Sequence, residues 1–315
     1  MSTERASSRA LPTDAAGKTT KTTAQRPKST PRPTSNRRSN TAAKSTRRAQ
    51  RPARSHKRTK ALAVPGTGVV VTGGASGIGR ATCIALAEVG RPVAVWDQDG
   101  PGAKKTARYC IDEYGIDASA TAIDVTDTAA LASAARKSRA AIGPLGGLVN
   151  AAGVAGPMPV TLIDEDSWDQ VLDVNLRAAA MLTRVMYEFL FEARPGSAIV
   201  HISSIEGFFG NNWLAAYSSS KAGLLGLTRS SAHTLGLDKI RVNAVCPGAV
   251  DTPLMEPLLS IPGTREALEG KTPLGRLAQP VDVARVVRFL LSEEAGFITG
   301  ASVVVDGGLT AVVGL

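Results

Sequence analysis

Thr72-Gly-Gly-Ala-Ser-Gly-Ile-Gly79 is the stretch whose reading decides the fold. Ahead of it, residues 69–71 are three consecutive valines; behind it, residues 78–88 read as a helix that stops at Gly90. A β-branched run, a glycine-rich turn and a helix in that order predict a strand–turn–helix unit. Glycines let the backbone turn tightly and approach a ligand without a Cβ clash, and the free N–H groups of a helix N-terminus attract phosphate. A lone glycine triplet would say little. Between a strand and a helix it reads as a cradle for a pyrophosphate.

Working outward, Pro92-Val-Ala-Val-Trp-Asp97 reads as a second buried strand, ending in an acid 18 residues beyond Gly79. A carboxylate at that point accepts the ribose hydroxyls of an adenosine and repels the extra phosphate of NADP, so the expected cofactor is NAD. Arg80 is a nearby cation and is expected to point from the helix face into solvent. Further short runs occupy residues 121–123, 148–149, 198–202, 242–245 and 302–305, with helical segments between most of them. Strands that read as continuous apolar runs and alternate with helices indicate a parallel sheet covered on both faces. The prediction is an α/β, doubly wound Rossmann fold with a seven-stranded parallel sheet. The expected strand order is 3-2-1-4-5-6-7, with ligands at the carboxyl ends.

Charge divides the 315 residues sharply. Residues 1–60 hold 17 Lys/Arg and 2 Asp/Glu, a net of +15, with no aromatic residue and Leu11 as the only Leu, Ile or Val. Such a segment cannot bury enough apolar surface to offset the entropy of ordering it. The expected division is a disordered, basic Ser/Thr/Pro/Arg-rich tail over 1–62 and a single Rossmann-fold domain over 63–315. The tail reads as a transit peptide, as an arm for nucleic-acid phosphates, or as an artefact of a start placed too far upstream. No apolar h-region argues for secretion. Residues 61–315 keep 20 basic and 25 acidic side chains, a net of −5. No run approaches the ~18 apolar residues of a membrane span. Cys83, Cys110 and Cys246 are too few and too scattered for a disulfide framework, so a reducing, cytoplasmic setting is expected, or an organelle if the tail directs import. His56, His201 and His233 lack ligand spacing and no metal is expected; His201 reads as an inward residue near the sheet end.

The motifs together resemble the short-chain dehydrogenase/reductase family over about residues 66–312. Thr72-Gly73-x-x-x-Gly77-x-Gly79 is similar to its nucleotide-binding turn, with Ser76 and Ile78 inside it. Asp124-Val125 resembles the adenine-contacting pair. Asn150-Ala151-Ala-Gly153 resembles a turn that usually carries Asn where Ala151 stands. Asn175 within Asp173-Val-Asn-Leu-Arg, Ser204 within Ile202-Ser-Ser-Ile-Glu-Gly207, and Tyr217-Ser-Ser-Ser-Lys221 resemble the catalytic set. Pro247, Gly248, Val250 and Thr252 resemble the loop that packs on nicotinamide, and Asp306-Gly-Gly308 the ending after the last strand. The resemblance implies NAD(H)-dependent interconversion of a secondary alcohol and a ketone, by a symmetric homotetramer built through helix faces and the C-terminal strand.

Tyr217 and Lys221, four apart, project from one face of a helix. A free phenol titrates near ~10, and a neighbouring ammonium and an oxidised nicotinamide should both pull it down toward a usable acid/base. Tyr217 is therefore expected to transfer the proton, with Lys221 as its electrostatic partner and, by resemblance, the holder of the nicotinamide ribose. Ser204 stabilises charge on the substrate oxygen; adjacent Ser203 alternates to the other side. The resemblance gives Asn175 a place in a proton relay. Substrate selectivity is expected in residues 154–160, 206–214 and 253–275. The second carries Phe208, Phe209 and Trp213, either an apolar wall for a bulky alcohol or packing surface, and the third reads as a lid. A hydroxysteroid, terpenoid alcohol or polyol fits this reading. The alternatives are an NADPH-dependent 3-oxoacyl-thioester reductase, which Asp97 opposes, and a nucleotide-sensing or nucleic-acid-associated protein that uses the basic tail.

Overall fold

Side chains along a strand alternate between faces, so a run of valines buried on both sides must have helices above and below it. That is how the chain is built in the computed structural model, which describes residues 63–312; the readings placed on residues 1–62 lie outside them. In order come β1 (Gly68–Thr72), α1 (Gly77–Ala87), β2 (Val93–Asp97), α2 (Gly100–Tyr114), β3 (Ala118–Ala122), α3 (Thr128–Ile142) and β4 (Leu145–Asn150). Then follow α4 (Glu165–Leu172), a π-helical segment (Asp173–Arg177), α5 (Ala178–Glu192), β5 (Ala198–Ile202), α6 (Ala215–Gly236) and β6 (Arg241–Pro247). The remainder is α7 (Glu256–Leu259), α8 (Thr264–Lys271), α9 (Pro280–Leu290) and β7 (Ser302–Val305).

Among the described residues the seven strands form one parallel sheet in the order β3-β2-β1-β4-β5-β6-β7, as the apolar runs predict. Val69 and Val71 face Cys83 and Leu86 of α1, Cys110 of α2 and Val287 of α9. Val70 faces the other way, in a core with Trp96, Leu131 of α3, and Leu182 and Met186 of α5. Trp96 is fully buried and its indole N–H donates to Ser138 Oγ at 2.9 Å, so its one polar atom is satisfied. All three cysteines are buried and free. The chain leaves β1 toward β2 and returns past it to β4, which opens a crevice above the carboxyl ends of these strands.

Two strand starts differ most from the sequence reading. β3 begins three residues earlier than expected, because an edge strand of small residues, Ala-Ser-Ala-Thr-Ala, lacks the β-branched signal. β4 begins at Leu145, hidden by Gly146 and Gly147. Those glycines serve packing: a Cβ on Gly147 would lie 2.8 Å from Val69 Cγ2 and 3.2 Å from Arg91 Nη2.

The opposite end of the sheet is held by two buried arginines. Arg91 donates to the carbonyls of Thr67 at 2.9 Å and Leu291 at 2.8 Å. Arg241 donates to those of Leu290 at 2.7 Å and Ser292 at 3.0 Å. The carbonyls at the end of α9, which have no partner within the helix, are thus capped by side chains. Burial, and repulsion from Arg241, lower Arg91 to about 10.

Candidate active site

The crevice above β1 and β4 is a cleft of about 430 Å³. Its walls carry Gly73, Ser76, Gly77, Ile78 and Gly79 from the first turn, Asp97 after β2, Asp124 and Val125 after β3, Ala151 and Gly153 after β4, and Thr252. Gly73 has φ +66°, and a Cβ there would lie 2.8 Å from the Ala151 carbonyl oxygen. A Cβ on Gly79 would fall onto the Gly73 carbonyl, so the turn closes backbone on backbone. Ser76, at the start of α1, makes no capping hydrogen bond, and the first turn of the helix carries no acid. Its leading N–H groups are therefore free to take an anion. The Asp97 carboxylate accepts from Ala75 N at 3.0 Å and Asp99 N at 2.9 Å, which fixes it against the turn while leaving lone pairs for hydroxyl donors. Asp124 Oδ1 accepts from the amide and the hydroxyl of Thr126 at 2.9 and 2.8 Å. Among the described residues, no Lys, Arg or His lines this cleft. Arg80 lies outside it, near Cys110 of α2, where its charge only partly offsets the burial that raises that thiol to about 11. These residues fit a dinucleotide: orphan N–H groups for the pyrophosphate and a carboxylate for the ribose.

The catalytic candidates gather where β4, β5 and α6 meet. Lys221 is buried, and its Nζ lies 5.4 Å from the centroid of the Tyr217 ring and donates to the Ile202 carbonyl at 2.9 Å. Ser203 Oγ donates to the Lys221 carbonyl at 2.9 Å, committing that hydroxyl to α6. Ser204 Oγ instead accepts from the Glu206 amide at 3.1 Å, which leaves its own proton to offer. Asn175 sits in the π-helical segment. Its Oδ1 accepts from Val154 N at 2.9 Å, and its Nδ2 donates to Val154 O and to Ser220 Oγ, each at 3.0 Å. Gly153 keeps the centre open: a Cβ there would lie 3.2 Å from Asn175 Oδ1 and 3.5 Å from Lys221 Nζ. Glycine at 153 therefore clears the space between the two.

The electrostatics depart from the sequence expectation at Tyr217. Burial raises its phenol above the ordinary value; the nearby Ser204 hydroxyl pulls the other way, and the Glu206 charge adds to the rise. Lys221 does not reverse this. Its ammonium is turned to the Ile202 carbonyl, and burial lowers it to about 8.

Other residues that the motifs single out have packing partners of their own. The Asn150 side chain turns into the sheet, its amide donating to His201 Nδ1 at 3.0 Å. Pro247 ends β6, Gly248 backs onto Asp306, and Val250 is buried in a bridge to Ala278. Sequence reasoning missed the structural part of Thr72, whose Oγ1 accepts from Ala151 N at 3.1 Å and Ala152 N at 3.2 Å and ties the first turn to the fourth. The threonine at the exit of β1 was the available signal. The π-helical turn under Asn175 has no compositional signal at all.

Over the catalytic end, the loops after β4 and β5 pair through a Met158–Leu214 bridge, with Met158 N donating to the Trp213 carbonyl at 2.7 Å. Phe208, Phe209 and Trp213 are exposed by 48, 54 and 58%, so they are surface aromatics and not core packing. Residues 253–275 hold α7 and α8, tethered by Arg265 to Asp251 at 3.1 Å, and Pro253 and Leu254 reach the cleft. Among the described residues, no helix is long and apolar enough to cross a membrane, and no three His, Cys, Asp or Glu side chains gather into a metal-binding group.

Residues 73–310 match a family model described as enoyl-(acyl carrier protein) reductase. The chain is 41% identical over 244 residues to cis-4-hydroxycyclohexanecarboxylate dehydrogenase of Sinomonas cyclohexanicum, covering 77% of this chain and 96% of that one. It is 38% identical over 244 residues to cyclopentanol dehydrogenase of Comamonas testosteroni, covering 77% and 96%. It is 34% identical over 246 residues to a 3-oxoacyl-[acyl-carrier-protein] reductase of Thermotoga maritima, covering 76% and 96%. Its fold superimposes with a TM-score of 0.76 on a crystal structure described as a short-chain alcohol dehydrogenase from Sinorhizobium meliloti, 34% identical and covering 80% of this chain and 99% of that one.

Proposed function

The chain belongs to the short-chain dehydrogenase/reductase family, and from that premise we infer that it is an oxidoreductase interconverting a secondary alcohol and a ketone. The observation that carries this reading is the meeting of Ser204, Tyr217, Lys221 and Asn175 beside a cleft suited to a dinucleotide. A nicotinamide dinucleotide held in the cleft would supply or accept the hydride. Ser204 donates a hydrogen bond to the substrate oxygen and stabilises charge developing there. Tyr217 gives that oxygen a proton in ketone reduction and takes it in alcohol oxidation. Lys221 keeps its ammonium 5.4 Å from the Tyr217 ring, fixed by the Ile202 carbonyl, and Asn175 holds the loop after β4 against α6, so that Gly153 faces Lys221.

Within the nicotinamide dinucleotides used by the family, we propose NAD(H). Support comes from Asp97 and Asp124 in a cleft without a cation to receive a ribose phosphate. The substrate proposed is a cyclic or otherwise bulky secondary alcohol of the hydroxysteroid, terpenoid or polyol kind. The cyclic-alcohol dehydrogenases among its relatives and the exposed aromatics in the segment that follows Ser204 favour it. We further propose a homotetramer acting in a reducing, cytoplasmic compartment. The half-exposed edge strand β7, with Val304 43% exposed, and the three free thiols support this.

The test is a parallel fluorescence titration with NADH and NADPH, followed by turnover of cyclopentanol, cyclohexanol and a 3-oxoacyl thioester. Tighter NADH binding with turnover of the cyclic alcohols is the expected result. Tighter NADPH binding with thioester reduction would replace it by the acyl reductase reading that the Thermotoga relative represents.

A further inference from the structure

The reaction derived above leaves one carboxylate at the catalytic end without a task. Glu206 lies two residues beyond Ser204, in the 3-10 turn Ile205–Gly207, and its amide donates to the Ser204 hydroxyl. The turn is pressed onto α6 so closely that a Cβ on Gly207 would lie 3.0 Å from the Lys221 carbonyl oxygen. Glu206 is thereby held beside the helical turn that carries Tyr217. One of its oxygens, Oε1, accepts from Asn211 Nδ2 at 3.3 Å; the other, Oε2, is buried and has no hydrogen-bond partner. Among the described residues, no cation is paired with Glu206. A carboxylate oxygen shut away from water is poorly screened and acts on polar neighbours over several ångströms.

We propose that Glu206 is a positioning residue for proton transfer, whose carboxylate raises the pH at which Tyr217 passes from proton donor to proton acceptor. The proposal rests on the reaction assigned above.

The other titratable groups around Tyr217 are already engaged. Lys221 of α6 directs its ammonium to the Ile202 carbonyl. His201 of β5, behind it, is lowered to about 4 by burial and by Lys221, and Cys246 of β6 is raised to about 11 by burial. Asp173 of the π-helical segment is paired with Arg177 at 2.8 Å. Glu206 is left as the negative charge that acts on the phenol, adding to the rise caused by burial. A negative neighbour favours the protonated phenol. Removing it makes phenolate available at lower pH, so alcohol oxidation should begin at lower pH as well.

The experiment compares wild type, Glu206→Gln and Glu206→Asp in two readouts. One is the pH profile of kcat/KM for alcohol oxidation. The other is NMR titration of the protein labelled at tyrosine Cζ, with Tyr217 assigned by its disappearance in Tyr217→Phe. In Glu206→Gln the acidic limb of the profile and the Tyr217 resonance should both move down by about half a pH unit or more, while Glu206→Asp stays near wild type. A raised KM with the limb and the resonance unmoved would overturn the proposal and make Glu206 a substrate contact. The NMR arm needs no substrate. If it shifts in a protein that turns over no alcohol or ketone, the link from Glu206 to Tyr217 stands and the assigned reaction falls.

Discussion

Lowering the pH makes a demand on His201 that the folded sheet resists. The free imidazole takes a proton near ~6.5, whereas the fully buried ring, between Asn150 and the Lys221 charge, does so only at about 4. Between those values the unfolded chain binds more protons than the folded one, so stability is complete above the upper value and is lost as pH falls toward the lower. At pH 4.5 the loss should reach about 2–3 kcal/mol. Urea midpoints between pH 7 and 4.5 should therefore fall less in His201→Asn than in wild type, and an equal fall would clear His201. At Tyr217, replacement by Phe should abolish turnover and leave NADH affinity within about twofold, measured by fluorescence on the same preparation. These two residues differ in how legible they are. Tyr217 and Lys221 are legible because they follow the glycine turn, Asn175 and Ser204 in the order that the resemblance implies; alone they would read as a surface helix pair. His201 is not, because spacing along a chain cannot say that Asn150, 51 positions away, will turn its amide onto that ring.

At the scale of the element, the glycine turn after β1 works only because the turn after β4 is tied to it. Thr72→Val keeps the shape of the side chain and removes the acceptor for two amides. It should cost about 1–3 kcal/mol, seen in thermal unfolding, and weaken NADH binding, since the Ala151 carbonyl against which Gly73 closes would lose its anchor. An unchanged melting temperature would show that other contacts hold the two turns together. Runs of valine and isoleucine buried on both faces make the central strands legible, and their alternation with helices gives the order of the sheet. The ends of β3 and β4 were not legible, because alanine and glycine carry no β-branched signal and are chosen there for what lies beside them. The π-helical turn at Asn175 is a question of hydrogen-bond register, which side-chain periodicity does not encode.

For the whole molecule, charge is the coarsest division: residues 1–60 carry a net of +15 against −5 for the rest. Removing residues 1–60 should leave NADH affinity and kcat/KM unchanged at physiological ionic strength, because none of the site residues lies among them; a large loss of activity would make that segment part of the enzyme. The pair Arg91 and Arg241 has a different consequence. Their grip on the end of α9 uses guanidinium donors and carbonyl acceptors, with no carboxylate in the arrangement. Nothing in that clasp changes protonation anywhere in the acid range, while the opposite rim of the sheet contains His201. Acid should therefore fray the protein from one pole. Deuterium uptake at falling pH should spread first through the amides around Asn150 and Ile202, with the strand starts above α9 the last to exchange.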